Sequence, residues 1–260
     1  MKFSLIKYND FSGPLNFAID EALTEYVSRN PDNFFIRLFG FKEPGVVSLA
    51  YMQSPEDSPE EVRKAFGIPC VRRQTGGRAL FHDPSDPNYT VVTSRSYFPN
   101  YLDAYYEICL AIVDTLSEIG ITGVEYNKST TILVNGRKIS GSAQNLRSSP
   151  VLLQHGSIFY NHVPEKRVLL TGGSEHDLGK VTAILEHADA SREDFFEIFA
   201  EKLLEGKQTE EIELPDEILE RAEGLARTKY ETEEWNNSGR LRRGSCATRW
   251  GTYPSRKNPR

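Results

Sequence analysis

Short apolar runs with strand character alternate with helical stretches along this chain, and tight turns separate several of them. Phe34–Phe39 (FFIRLF) and Val46–Met52 (VVSLAYM) read as strands joined by a turn holding Pro44-Gly45. Asn88–Ser94 (NYTVVTS) and Val151–Tyr160 (VLLQHGSIFY) read as further strands. Thr131–Ser140 reads as a β-hairpin, because Asn135-Gly136 tolerates the positive φ of a two-residue turn. Helices are expected over Leu15–Ser28, Ser58–Phe66, Tyr101–Ile119, Ser191–Leu204 and Pro215–Thr228. In the first, Phe17, Ala18, Leu23 and Val27 recur near helical spacing; in the third, Ile108, Ile112, Leu116 and Ile119 share a face. Ser58 reads as the cap of the second, with Pro59 at its first position and glutamates in its first turn. Hairpins among helices point to an α/β (α+β) fold with a mixed sheet rather than a purely parallel one. There is no internal repeat.

The 260 residues suit one large domain, or one with a small appendage. With 38% hydrophobic and 26% charged residues, the chain is neither disordered nor collagen-like. Mean hydropathy is −0.48 and no apolar run reaches the roughly 18 residues of a membrane span, so no membrane partner is expected. Asp10 interrupts the opening MKFSLIKYND where a secretory core would continue, so a cytoplasmic protein is expected. A net charge of −6 does not suit nonspecific coating of nucleic acid, although a local basic patch could hold one small anion. Cys70, Cys109 and Cys246 form no CxxC pair, and the five histidines show no HExxH spacing, so neither a disulfide framework nor a metal site is expected. From Asn236 to Arg260 there are seven basic residues and no acidic one. Residues 237–260 therefore read as a mobile basic tail behind a domain of residues 1–236.

Three stretches could carry chemistry. In Arg72-Arg73-Gln74-Thr75-Gly76-Gly77-Arg78-Ala79-Leu80-Phe81-His82-Asp83, the glycines free backbone amides to approach a ligand, and the arginines could grip a carboxylate or phosphate. A bare Gly-Gly turn is more often a surface turn with solvated arginines; a Walker A string is absent. In Gly136-Arg137-Lys138-Ile139-Ser140-Gly141-Ser142-Ala143-Gln144, strand alternation puts Lys138, Ser140 and Ser142 on one face and Ile139 and Gly141 on the other. Flanked by small residues, Lys138 could reach a pocket and hold carbonyl and phosphate oxygens during acyl transfer; a lone hairpin lysine more often points to water. In Gln154-His155-Gly156-Ser157, one histidine interrupts an apolar strand, and a hydrogen-bonded core histidine is the commoner explanation.

Together and in this order, the three stretches resemble the lipoate–protein ligase family. RRQTGGRALFHD is similar to that family's RRxTGGGAVxHD loop, NGRKISGSAQ to its GKKIxGsAq strand and QHGSIF to its HGtLL segment. NFAIDEA (Asn16–Ala22), VVSLAYMQ (Val46–Gln53), PNYTVV (Pro87–Val92) and KYETEEWN (Lys229–Asn236) add smaller matches, so the resemblance covers about residues 1 to 236. It implies a largely antiparallel mixed sheet with flanking helices, shared with biotin ligases. It also implies activation of lipoate with ATP, accompanied by Mg, to lipoyl-adenylate, then transfer to a lysine of a lipoyl carrier domain. By resemblance, Lys138 is the catalytic lysine. Arg73, Gly76, Gly77, Arg78, Ala79, Leu80, Phe81 and His82 match the adenylate-contacting segment. Ser142, Ala143 and Gln144 match the pocket wall, and His155 with Gly156 lies beside the acyl chain.

The sequence also departs from that pattern. Arg78 replaces a third glycine, Ala50 replaces a glycine, and Thr130-Thr131 stands where the family has Asn-Asp, removing a polar anchor for nucleotide or magnesium. Octanoyltransferases of the superfamily, which take their acyl group from a carrier protein, pass it through a cysteine upstream of the hairpin. Residues 120–144 contain no cysteine, which favours the ligase; LLQHGSIF keeps the octanoyltransferase open, and Thr131 a non-catalytic binder. Nothing after Asn236 resembles the accessory domain of bacterial-type ligases, so a separate small accessory protein is expected to assist activation.

Overall fold

The computed structural model describes residues 1–127, 130–145 and 149–239. All but three residues of the expected basic tail, and Cys246, lie outside the described residues.

The chain opens with a strand–helix–strand unit, β1 (Lys2–Phe11), α1 (Gly13–Arg29) and β2 (Asn33–Phe41), whose strands pair in parallel. Strand β3 (Val46–Leu49), helix α2 (Glu60–Phe66), β4 (Cys70–Arg72), β5 (Leu80–His82) and β6 (Asn88–Ser94) follow. Next come α3 (Tyr101–Glu118), β7 (Val124–Tyr126), β8 (Thr131–Val134), β9 (Arg137–Gln144) and β10 (Val151–Ile158). The remainder holds α4 (Pro164–Leu169), α5 (Arg192–Leu204), β11 (Thr209–Ile212), α6 (Asp216–Leu225), a π turn over Ala226–Tyr230, and α7 (Glu233–Ser238). Eight strands form one sheet in the order β11-β1-β2-β6-β10-β9-β8-β7, and β4-β3-β5 form a second. The large sheet is parallel at β11-β1-β2 and antiparallel at every other pairing, as expected for a mixed, largely antiparallel sheet.

Strand β2 shows how the sheet sorts its side chains. Phe35, Phe39 and Phe41 enter the core beneath α1 and α6, whereas Phe34, Ile36 and Leu38 enter the core beneath α3 and α5. A strand buried on both faces keeps period-two alternation only in the choice of core, so its sequence is apolar apart from Asn33 at its start and the buried Arg37, which pairs with Asn16 and Asp20. A third, smaller core forms around Val47, Ile68, Phe81 and Leu170 against the small sheet.

Two local expectations change. The turn at Pro44-Gly45 joins two strands, but they belong to different sheets. Ser58 does not cap α2: its hydroxyl donates to the Leu170 carbonyl at 2.6 Å, and the helix begins after Pro59 without a side-chain cap. Burying that hydroxyl requires a partner, and a backbone carbonyl of the small core supplies it.

The hairpin forms as expected, with Asn135 at φ 50° and Gly136 at φ 77°. A register shift between Ile132 and Leu133 marks a bulge opposite Lys138–Ser140. Bulges re-aim side chains. Here Lys138 turns to the side of Gly141, where an added Cβ would lie 3.1 Å from Nζ, while Ile139 enters the core with Cys109 and Tyr89. The face shared by Lys138, Ser140 and Ser142, expected from regular alternation, is thereby broken; Ser140 is fully buried.

Candidate functional site

A cavity of about 200 Å3 lies between the segment linking β4 to β5 and the large sheet. Its wall on one side comes from Arg73, Gly77, Arg78, Ala79, Leu80 and His82. Opposite stand Lys138, Gly141, Ser142 and Ala143 of β9, with His155 and Gly156 of β10. The structure therefore brings together eleven of the fourteen residues expected at a site. Gly76 is exposed at the bend, Phe81 is buried in the small core, and Gln144 bonds to the Tyr101 carbonyl and the Gln154 side chain instead.

Sequence reasoning missed the rest of the lining. Phe17, Phe39 and Phe41 supply an apolar wall, and Ser48 and Asn88 supply polar groups. Phe17 stands edge-on to both His82 and His155, each at 5.9 Å between ring centroids. Thr130 and Thr131, at the departure from the family pattern, also line the cavity. No Asp or Glu is among the described lining residues, so a magnesium ion there would find no protein carboxylate. Across the described residues, no cluster of three His, Cys, Asp or Glu could hold a metal, and no helix is long and apolar enough to cross a membrane.

Of the three cations that line the cavity, Arg73 and Lys138 stand in contrasting states. All five N–H groups of Arg73 are engaged. Nε donates to Thr75 Oγ1, Nη1 to the Ser48 carbonyl and hydroxyl, and Nη2 to the Gly76 and Arg78 carbonyls, at 2.7–3.0 Å. Arg73 thus shapes the twin-glycine bend from inside, and Gly77 adopts φ 98°, which only glycine takes without strain. Lys138 Nζ has no hydrogen-bond or ion-pair partner among the described residues; it lies 5.7 Å from the Phe159 ring centroid. Burial, reinforced by Arg73, Arg167 and Arg78, pushes its pKa down to about 8.

The segment before the bend is tied to three parts of the fold. Arg72 donates to the carbonyls of Ala50, Tyr51 and Gln53 and to those of Trp235 and Asn236. Gln74 donates to Tyr230 Oη, which donates to Glu21, itself paired with Lys229. Thr75 Oγ1 meets His155 Nε2 at 2.7 Å, and His155 Nδ1 meets Asp20 Oδ2 at 2.7 Å. Asp20 was not expected at the site, although a buried acid within an apolar helix, beside Asn16, Glu21 and Thr24, is a readable anomaly.

Neither described cysteine lines the cavity. Cys109, read from the sequence as a core residue, is fully buried in α3 with Sγ 3.9 Å from Ser142 Oγ, and burial pushes its thiol up to about 11. Cys70 packs against the small core, and burial raises its pKa as well. Neither is an activated nucleophile.

A twin-glycine bend thus stands opposite a lysine that has no hydrogen-bond partner among the described residues, on a mixed sheet of this order. The family model for the lipoyl protein ligase A/B catalytic domain matches residues 12–203, and the chain belongs to that family. The Octanoyltransferase LipM of Anoxybacillus flavithermus is 32% identical, over 86% of this chain and 94% of that protein. That of Carboxydothermus hydrogenoformans is also 32% identical, over 88% and 96%. Among solved structures, a lipoate-protein ligase A bound with ATP superposes with TM-score 0.77 at 22% identity, covering 92% of this chain and 99% of that one. A bi-partite lipoate protein ligase from Thermoplasma acidophilum, solved in a study that includes its E2 lipoyl domain, gives TM-score 0.77 at 21% identity, covering 94% and 98%. The likeness to solved structures carries the fold. The curated relatives shift the balance from the ATP-dependent ligase that the cysteine pattern favoured toward octanoyl transfer.

Proposed function

We propose that this chain transfers an octanoyl group from a carrier-protein thioester to a lysine of a lipoyl carrier domain. The relatives' activity supports this reading, and the single structural observation that carries it is the Lys138 ammonium, without a hydrogen-bond partner among the described residues, facing the bend across an apolar-walled cavity. The acceptor amine attacks the thioester carbonyl; a C–N bond forms, the C–S bond breaks, and the proton released from the amine ends on the departing thiol. Lys138 stabilises the charge that builds on the carbonyl oxygen. Phe17, Phe39 and Phe41 cover the acyl chain. Residues 1–236 act as the catalytic domain. A cytoplasmic setting suits both carriers.

One observation favours a second reading, an ATP-dependent lipoate ligase. The described lining holds no cysteine, whereas Arg73, Arg78 and Lys138 give it the positive charge that an adenylate phosphate would meet. That reading alone calls for a separate small accessory protein.

Mass spectrometry of an apo lipoyl domain separates the readings. The chain is incubated with octanoyl carrier protein in one tube and with lipoate, ATP and magnesium in another. Octanoylation in the first tube is the expected result. Lipoylation confined to the second, with or without an accessory protein, replaces the octanoyl reading with the ligase. No modification in either tube removes both and leaves a binder.

A further inference from the structure

Arg73 stands at the head of two hydrogen-bond chains that run through the two cavity histidines. In one, Arg73 Nη1 donates to Ser48 Oγ (2.9 Å), which meets His82 Nε2 (2.8 Å), and His82 Nδ1 meets Asn88 Oδ1 (3.2 Å). The Asn88 amide is oriented by its Nδ2, which donates to the Asp86 carbonyl at 2.7 Å, so an acceptor faces the ring. In the other, Arg73 Nε donates to Thr75 Oγ1 (3.0 Å), which meets His155 Nε2 (2.7 Å), and His155 Nδ1 meets Asp20 Oδ2 (2.7 Å). Thr90 donates to the other Asp20 oxygen at 2.8 Å.

With both rings neutral, the donors and acceptors leave one consistent assignment. The far ends, Asn88 Oδ1 and the Asp20 carboxylate, accept, so each histidine donates from Nδ1. Each Nε2 is then an acceptor, and the hydroxyl before it donates to the ring while receiving from Arg73. A hydroxyl fixed in this way presents its lone pair to the guanidinium and holds it against the bend carbonyls of Gly76 and Arg78.

We propose that Asp20 is a positioning residue of the acyl-transfer site: by holding His155 in its Nδ1–H tautomer it orients the Thr75 hydroxyl, which fixes Arg73 and through it the bend that faces Lys138. Asp20 does not line the cavity and reaches it through His155, while its Oδ1 also lies 3.8 Å from the buried Arg37 Nη1. The carboxylate distinguishes this chain from its neighbour. An asparagine in its place can offer Nδ2–H to the ring, push the proton to Nε2 and leave the Thr75 hydrogen without an acceptor. A wrong tautomer in otherwise intact geometry is known to cost an enzyme several orders of magnitude in rate.

The test uses 15N-labelled full-length chain and reads the imidazole nitrogens by NMR, assigning His155 by the signal lost in His155→Gln. The expected result is a proton on Nδ1 in the wild type and on Nε2 in Asp20→Asn, with the His82 signals unmoved. In octanoyl transfer, Asp20→Asn is expected to lower kcat by about tenfold to a hundredfold, with a smaller change in KM. Thr75→Ser keeps the hydroxyl and most of the activity; Thr75→Val, of similar volume, loses it. An Nε2-protonated His155 in the wild type overturns the proposal, as does a folded Asp20→Asn with wild-type kcat. If Asp20→Asn does not fold, the wild-type spectrum and the Thr75 pair decide. The proposal rests on the octanoyl-transfer reading only for its kinetic arm. Should the wild type transfer no octanoyl group, that reading fails, and the nitrogen spectrum still decides the relay.

Discussion

Arg73 and Lys138 face the same cavity and carry the same charge, yet the fold treats them in opposite ways. Arg73 is held by five hydrogen bonds to Ser48, Thr75, Gly76 and Arg78, and it remains a cation although burial lowers its pKa to about 10. Lys138 is left without a hydrogen-bond partner among the described residues, on a strand that bulges to aim it inward. A buried cation with every donor engaged is part of the wall, and its loss strands several acceptors. A buried cation with no partner gains nothing from the fold and has to be compensated by what enters the cavity. The bend side of the site is built, and the hairpin side is kept open for chemistry.

The largest break of this contrast is Arg73→Lys. A lysine offers three donors from one point and cannot reach five acceptors spread over a planar fork. We expect a loss of about 2–5 kcal/mol in stability, read by denaturant unfolding, together with loss of transfer. Wild-type stability would mean that the five bonds do not hold the bend. Lys138→Met is the opposite case. Transfer is expected to fall by about a hundredfold to a thousandfold while the melting temperature is kept or raised. A variant that transfers normally would place the chemistry on another residue.

The pH dependence sharpens the same contrast with a smaller effect. The Lys138 pKa falls from 10.5 in the unfolded chain to about 8 in the folded one. Below about pH 8 both states hold the proton and the folded protein bears the full cost of the buried charge. Between about 8 and 10.5 the unfolded state binds more protons, so stability from this group rises with pH. Lys138→Met is therefore expected to melt higher than the wild type at pH 7, with an advantage that shrinks across that window. An advantage that is constant with pH would show that the ammonium is as well solvated in the fold as outside it.

The sequence carried much of this site because its local signals are strong. Asn135-Gly136 dictates the hairpin, and the glycines of the bend mark where backbone must approach a ligand. Cys109 was readable as core from the apolar face of its helix. Other features depend on partners distant in the chain. β1 lacks a strong strand signal because Lys2, Lys7, Asn9 and Asp10 interrupt it, and its pairing with β2 and β11 settles the matter. The side to which Lys138 points reverses through one bulge, which regular alternation cannot foresee. Asp20 lies 135 residues from His155, so its role emerges only when α1 crosses β10. The donor is the least legible feature: an octanoyl thioester and a lipoyl-adenylate would present the same carbonyl to Lys138.

Gly141 tests the finest point, whether the position of the lysine matters as much as its presence. A Cβ at this residue would lie 3.1 Å from Lys138 Nζ and 3.2 Å from Cε. Those atoms are the far end of a flexible side chain, so Gly141→Ala should fold with little change in melting temperature and displace the ammonium by a few tenths of an ångström. Since acyl transfer depends on the placement of the charge relative to the carbonyl oxygen, kcat is expected to fall by about threefold to tenfold, with KM for the acyl donor nearly unchanged. Gly141→Ser adds a hydroxyl at the same place and supplies Nζ with the partner it otherwise lacks. That variant should fall further, because a hydrogen-bonded ammonium is both displaced and less available to the substrate. Equal kcat in all three proteins would mean that Lys138 acts as diffuse positive charge, and the contrast with Arg73 would then be one of bonding alone.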